Sequence, residues 1–293
     1  MKIAILGAAG MLGSMVLEVF SKNTDYQIIA SARNKNDFDN RLSWKFLDAV
    51  NFTAEEIADV IRDCSWVINC IGLIKPYIDD NNFSDVEKAI EINTLFPYKL
   101  SQAAEKTGAK VIQIATDCVF DGTKGKYIET DNHNAVDVYG KTKSLGEVYS
   151  SDVINLRCSI IGFEKRNKKS LLEWFLNQPP NSFVKGYSNH FWNGVTTYHF
   201  AKICMGIIKS DFDFYHLQHI VPADFVSKAQ LLNYFKEIFR EDILIDVINT
   251  PENVDRTLLT VNEDKNNTLW QIAGYSSPPT IKRMVEELKD ARI

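Results

Sequence analysis

The chain has 293 residues, of which 45% are hydrophobic and 24% charged, and a formal net charge of −5. This is an ordinary soluble globular composition, long enough for one large domain or one domain plus a smaller lobe. The acidic balance argues against a nucleic-acid polymer as partner, and no stretch approaches the ~20 apolar residues of a membrane span.

A first strand is expected at Lys2–Leu6. It starts so early that no signal peptide fits before it, and a cytoplasmic location is expected. Further apolar runs predict strands at Gln27–Ala32, Trp66–Ile71, Lys110–Ala115 and Val153–Ile161. They are near-continuous in Val, Ile, Leu and Ala, as strands buried on both faces should be. Helical patterns lie between them at Met11–Phe20, Ala54–Arg62, Val86–Lys106 and Val138–Ser150. The alternation predicts an α/β fold with a doubly wound parallel sheet.

The pattern loosens after Gly162. A short helix is expected over Ser170–Asn177, ended by Pro179-Pro180, with Trp174 and Phe175 packed inward. Helices follow at Thr196–Ile208, at Ser227–Phe239 with Ser227 as N-cap, and at Thr280–Lys289; a strand is expected at Phe214–Ile220. The polar segment Asn249–Asn267 reads as a mobile loop. The expected division is a dinucleotide-binding domain over 1–162 and a smaller C-terminal α/β substrate lobe over 163–293, with segments about 183–220 returning to the first domain.

The loop Gly7-Ala-Ala9-Gly10-Met11-Leu12-Gly13 joins the first strand to the first helix. Glycines allow a tight turn and bring backbone N–H groups close to a pyrophosphate, which the helix N-terminus also favours. The same loop could merely pack the helix close to the sheet. At the end of the second strand an acidic residue would bind a ribose 2′-hydroxyl. The chain reads Ser31-Ala-Arg33-Asn-Lys35 there, with no carboxylate until Asp37. Arg33 could grip a 2′-phosphate through its planar fork, which favours NADPH over NADH; otherwise it is a solvated surface cation. The five cysteines form no Cys-x-x-Cys pair, so neither a metal site nor a disulfide framework is expected.

Tyr139 and Lys143, in Val138-Tyr-Gly-Lys-Thr-Lys143, lie one helical turn apart and point the same way. An ammonium beside a phenol favours the phenolate and improves proton exchange near neutral pH, which suits carbonyl reduction by a nicotinamide. A half-buried helix aromatic is the structural alternative for Tyr139.

These residues together resemble the extended short-chain dehydrogenase/reductase superfamily, and within it the dTDP-4-dehydrorhamnose reductases and related nucleotide-sugar 4-ketoreductases. The stretches that carry the likeness are Gly7–Gly13, Asn69-Cys70-Ile-Gly72, Glu91-Ile-Asn93, Ala115-Thr-Asp-Cys-Val-Phe-Asp-Gly122 and Val138–Lys143. The resemblance implies a Rossmann-like fold and an NADPH cofactor. It implies Tyr139 as proton donor to the substrate carbonyl, Thr116 as hydrogen-bond partner of the same oxygen, and Lys143 on the nicotinamide ribose. It further implies Asn93 in a proton relay behind Lys143, Asp48 near the adenine, and Cys70 and Gly72 along the cofactor. Physical alternatives stand beside these: a backbone-bonding role for Asn93, a turn role for Asp48, a strand-end cap for Asp117.

Dehydratases of the superfamily carry an acid where this chain has Cys118, so dehydration is disfavoured. Rhamnose-forming reductases have Tyr at that position and Trp near Ile160, and both departures put the sugar in question. Cys118 is either a small residue making room or a reactive thiol. The segment Lys185–Thr197 is rich in polar and aromatic groups. By resemblance Asn189, His190, Trp192 and Asn193, with Asp117 and Cys118, could line the sugar-nucleotide site; Asn193-Gly194 could equally be a plain turn. His216 and His219 lack ligand-spaced carboxylates and read as core or surface residues. The sequence thus points to an NADPH-dependent reductase of a 4-keto-6-deoxy nucleotide sugar. A nucleotide-sugar epimerase or dehydrogenase and a non-catalytic NADP-binding regulatory subunit are the alternatives, and a homodimer is left open.

Overall fold

The computed structural model describes residues 1–38, 42–166, 168–212 and 216–291. The first half alternates as β1 (Lys2–Leu6), α1 (Met11–Ser21), β2 (Gln27–Ala32), β3 (Ser43–Phe46), α2 (Ala54–Val60), β4 (Trp66–Asn69), α3 (Phe83–Ile90), α4 (Phe96–Thr107), β5 (Lys110–Ala115), α5 (Val138–Leu145) and β6 (Val153–Arg157). The second half continues with β7 (Ile160–Ile161), α6 (Leu171–Leu176), β8 (Phe183–Tyr187), β9 (His190–Trp192), β10 (Val195–Thr196), α7 (Thr197–Ser210) and β11 (Leu217–His219). It closes with β12 (Val226–Ser227), α8 (Lys228–Phe239), β13 (Leu244–Ile248), β14 (Val254–Asp255), α9 (Glu263–Ile272) and α10 (Ile281–Asp290).

Seven strands form one sheet in the order β11-β6-β5-β4-β1-β2-β3. Every pairing in it is parallel. This is a Rossmann-like α/β fold. The alternation along β1 divides its side chains between two cores: Ile3 and Ile5 face one, Ala4 and Leu6 the other. The first core is shared with α1, α7, α8, α9 and α10, the second with α2 and α4. Thus β11 and α7 attach to the sheet built by the first half of the chain. The expected strand at Phe214–Ile220 is seen as β11; residues 214 and 215 lie outside the described residues.

Four differences from the sequence reading have physical causes. The single helix expected over Val86–Lys106 is α3 and α4 joined by a π-turn, Glu91–Leu95. Pro97 has no N–H for the carbonyl four residues back, that of Asn93, and the wider turn accommodates the loss. The strand expected over Val153–Ile161 breaks at Cys158-Ser159 into β6 and β7, and β7 pairs with β10 instead. The expected loop Asn249–Asn267 contains β14 and the start of α9. Only Asn266, Leu269 and Trp270 of α9 are buried, too few apolar positions to show a period. Trp174 is 40% exposed whereas Phe175 is fully buried, because only one face of the short α6 meets the core.

Candidate functional site

The carboxyl ends of β1, β4 and β5 open at one edge of the sheet, and the segments leaving them line a cavity of about 710 Å³. Its first wall is the glycine loop. Gly7 adopts φ +74°, and the Gly7 N–H approaches the Ser31 hydroxyl at 3.3 Å. A Cβ on Gly13 would stand 2.1 Å from the Gly7 carbonyl oxygen, so only glycine lets α1 start this close to β1. Gly10 caps α1 without any side-chain bond, which leaves N–H groups of the first turn free to meet an anion. Gly10, Met11, Leu12 and Arg33 line the cavity at this end, with Cys70 and Gly72 beside them. Gly7, Ala9 and Gly13 shape the loop but are not on the wall. The set fits a pyrophosphate: a cradle that a Cβ would fill, an uncapped helix start and a cation at the rim.

Thr116, Asp117, Cys118, Tyr139 and Lys143 line the same cavity further along. The helix carrying Tyr139 is seated by Gly140, whose Cβ would lie 2.3 Å from the Cys118 carbonyl oxygen. Asp137 caps that helix by accepting the Gly140 N–H at 2.7 Å. The close approach sets Tyr139 on the same cavity wall as Thr116. Burial pushes the phenol pKa up, with Cys118 adding to the effect and the Thr116 hydroxyl opposing it. Burial also lowers Lys143 to about 8, with Glu147 pulling the other way. The Lys143 ammonium donates to the Ile114 carbonyl at 3.0 Å. The phenolate expected from the Tyr–Lys spacing is therefore not favoured by this buried environment. The desolvated phenol keeps its proton, which is the form a donor needs.

Burial raises Cys118 to about 12, with Asp117 adding to the effect. Its thiol stays protonated, which speaks against the reactive-thiol alternative. Asp117 is itself pushed up by burial, opposed by Arg256 and Lys228.

Other expected site residues are placed elsewhere. Asn93 lies on the π-turn, away from the cavity wall, accepting the Leu73 N–H at 2.8 Å and donating to the Leu73 carbonyl at 2.9 Å and to Thr142 at 3.3 Å. It ties the loop after β4 to α5, the backbone-bonding alternative. Asp48 accepts the Val50 N–H and the Asn51 amide, closing a turn, and is off the wall. Asn189 bonds the backbone of Thr250 and Glu252, His190 the Thr250 hydroxyl, and Asn193 both backbone groups of Leu258. Of the four residues expected from that segment, Trp192 alone reaches the cavity, its indole N–H fixed on Ser159 at 2.8 Å. The sequence reading missed Lys228 on the wall and Arg256 close by. A lysine as first residue of a helix opposes the helix dipole, and that was the available signal.

The family model described as RmlD substrate binding domain matches residues 1–164 of the chain. The chain belongs to this family. It is 30% identical over 190 residues to a dTDP-4-dehydrorhamnose reductase of Aggregatibacter actinomycetemcomitans, an alignment that covers 63% of this chain and 55% of that one. It is 29% identical over 148 residues to methionine adenosyltransferase 2 subunit beta of Bos taurus, covering 50% of this chain and 41% of that one. The chain thus spans about half the length of these relatives. The structure of a Bacillus anthracis dTDP-4-dehydrorhamnose reductase in complex with NADP superposes over 99% of both chains with a TM-score of 0.77 at 17% identity, a likeness of fold. Among the described residues, no helix is long and apolar enough to cross a membrane.

Proposed function

We propose that this RmlD-family chain reduces the 4-keto group of a nucleotide-activated 6-deoxyhexose with NADPH. The observation that carries the reading is that Thr116, Tyr139 and Lys143 share one cavity wall continuous with the glycine loop and Arg33. The reductase of A. actinomycetemcomitans supports it. Residues 1–162 would chiefly hold the dinucleotide, and residues 163–293 chiefly the sugar nucleotide.

The first turn of α1 binds the pyrophosphate and Arg33 a 2′-phosphate, the basis for NADPH over NADH. A bound nicotinamide supplies a hydride to the ketone carbon. Tyr139 gives its phenolic proton to the ketone oxygen, and Thr116 hydrogen-bonds that oxygen as charge develops on it. Lys143 holds a positive charge one turn from Tyr139 and offsets the phenolate left behind.

The test is NADPH oxidation by the purified protein against a panel of 4-keto-6-deoxy nucleotide sugars. Turnover with one member is expected, and Tyr139→Phe should lower kcat about 10²- to 10⁴-fold with NADPH affinity nearly unchanged. Full activity in that variant would remove Tyr139 as the acid. The likeness to a methionine adenosyltransferase subunit favours a second reading, an NADP-binding regulatory subunit. Silence on the panel together with a stoichiometric co-purifying partner would support it.

A further inference from the structure

Three buried amides interrupt the apolar centre of the sheet. Asn69 of β4, Gln113 of β5 and Asn155 of β6 pair in register across neighbouring strands, and none is more than 2% exposed. Two residues earlier in each strand the same face carries Val67, Val111 and Val153, which belong to the second core. Asn69 donates from Nδ2 to Gln113 Oε1 at 3.2 Å, and its Oδ1 accepts the Ile71 N–H at 3.1 Å. Gln113 donates from Nε2 to the Gly146 carbonyl at 2.7 Å. Asn155 donates from Nδ2 to the Val148 carbonyl at 3.1 Å. The row thus holds two things: the segment Cys70–Gly72 on the cavity wall, and the chain where α5 ends. That end is also pressed on the π-turn, since a Cβ on Gly146 would stand 1.9 Å from the Asn93 carbonyl oxygen. The Thr94 hydroxyl donates to the Thr142 carbonyl at 2.8 Å there.

Each amide costs desolvation that a valine in its place would not, and its bond returns only about 1 kcal/mol. Stability therefore does not account for the row. An amide bond fixes distance and angle, whereas apolar contact lets a helix slide. Under the proposed reading the cofactor runs along Cys70 and Gly72, and the proton donor stands on α5. We propose that Gln113 is a positioning residue that sets α5, and with it Tyr139 and Lys143, against the cofactor wall. Lys143 is held from the same strand, since its ammonium reaches the carbonyl of Ile114, the next residue. The proposal rests on the reductase reading for its kinetic readout, while its spectroscopic readout needs only NADPH.

The test compares the parent with Gln113→Met, which keeps the length of the side chain and removes both bonds; Gln113→Leu serves if the first does not fold. Val111→Ala, on the same face of the same strand, is the control for a general loss of core packing. Melting temperature and the Kd for NADPH show that each variant is folded and loaded. Gln113→Met should lower kcat about 10- to 100-fold on the panel sugar that the parent turns over, with KM and the NADPH Kd within threefold. The fluorescence emission of bound NADPH should shift in the same variant. Val111→Ala should lose melting temperature only. Unchanged kcat and emission in Gln113→Met, or equal changes in Val111→Ala, would overturn the proposal, as would a parent that binds no NADPH. If the parent binds NADPH and turns over no panel sugar, the reductase reading falls and the emission decides. A shift confined to the Gln113 variant then upholds the positioning role, and no shift overturns it.

Discussion

Gly13→Ala tests the phosphate loop by a single methyl group. Its Cβ would lie 2.1 Å from the Gly7 carbonyl oxygen, 2.7 Å from the Gly7 carbonyl carbon and 2.8 Å from the Ala8 Cα. All three are backbone atoms, so no side chain can swing away. Ordinary contact starts near 3.4 Å, so the helix start and the loop must part by roughly 1.3 Å. The loop cannot yield: the Ala8 N–H is bonded to the Ser31 carbonyl at 2.9 Å, and a Cβ on Gly7 would already meet Ile71 at 2.9 Å. The first turn of α1 must therefore move, and its free N–H groups move with it. Overpacking of this size costs about 1–3 kcal/mol of stability. One lost N–H bond to a charged oxygen costs about 1.5–3 kcal/mol of binding, or about 10- to 150-fold in NADPH affinity. Fluorescence titration with NADPH reads the affinity, and thermal unfolding without ligand reads the stability. A folded Gly13→Ala protein that binds NADPH within threefold of the parent would refute this account of the loop.

Three further outcomes follow from the same geometry. Arg33→Ala should weaken NADPH about tenfold while leaving NADH within twofold, measured as Kd for each cofactor. Because burial sets Lys143 near 8 and raises Tyr139, the ammonium is present below pH 8 and lost above it. kcat/KM should therefore be level from pH 6 to 7.5 and decline above about 8, and a profile level to pH 10 would contradict that ordering. Glu147→Gln should cost about 3–5 kcal/mol in urea unfolding, since it strands the guanidinium of Arg157, which has no solvent exposure. A loss below about 1 kcal/mol would show that the pair is not load-sharing.

The parallel strands were legible because burial on both faces leaves apolar runs that only a sandwiched sheet explains. Gly7–Gly13 was legible because only glycine lets a helix start so close to the strand before it, and Tyr139 and Lys143 because one helical turn sets both on the same cavity wall. What stayed hidden depends on contacts distant in sequence. Asn93 reads as a relay residue by resemblance, while the π-turn it occupies, just before Pro97, sets its amide on Leu73. Asn189, His190 and Asn193 looked like ligand contacts because they are polar; they are polar because they hold the segment 250–258. Lys228 and Arg256 lie on separate short strands' ends, and only the pairing of β9 with both β12 and β14 brings them together.

The helix carrying Tyr139 and Lys143 is also tied to the half of the chain that carries Lys228 and Arg256. Glu147, one turn beyond Lys143, accepts the Arg157 Nε–H at 3.1 Å. The same guanidinium donates to His219 at 2.8 Å and to His133 at 2.6 Å, both at Nε2. His219 then donates from Nδ1 to the Leu259 carbonyl at 2.7 Å, which fixes it as a neutral tautomer. Burial first, then Arg157, lowers His219 to about 4. No proton competes for Nε2 near neutral pH, so the planar fork of Arg157 holds one geometry. Leu258, the residue before Leu259, is gripped by Asn193, and Arg256 lies two residues before Leu258. A shift of the segment carrying Arg256 would pull on His219 and Arg157, and through Glu147 on the helix that carries Tyr139. The segment carrying Arg256 and the helix carrying Tyr139 are therefore set by one continuous network rather than by two independent supports.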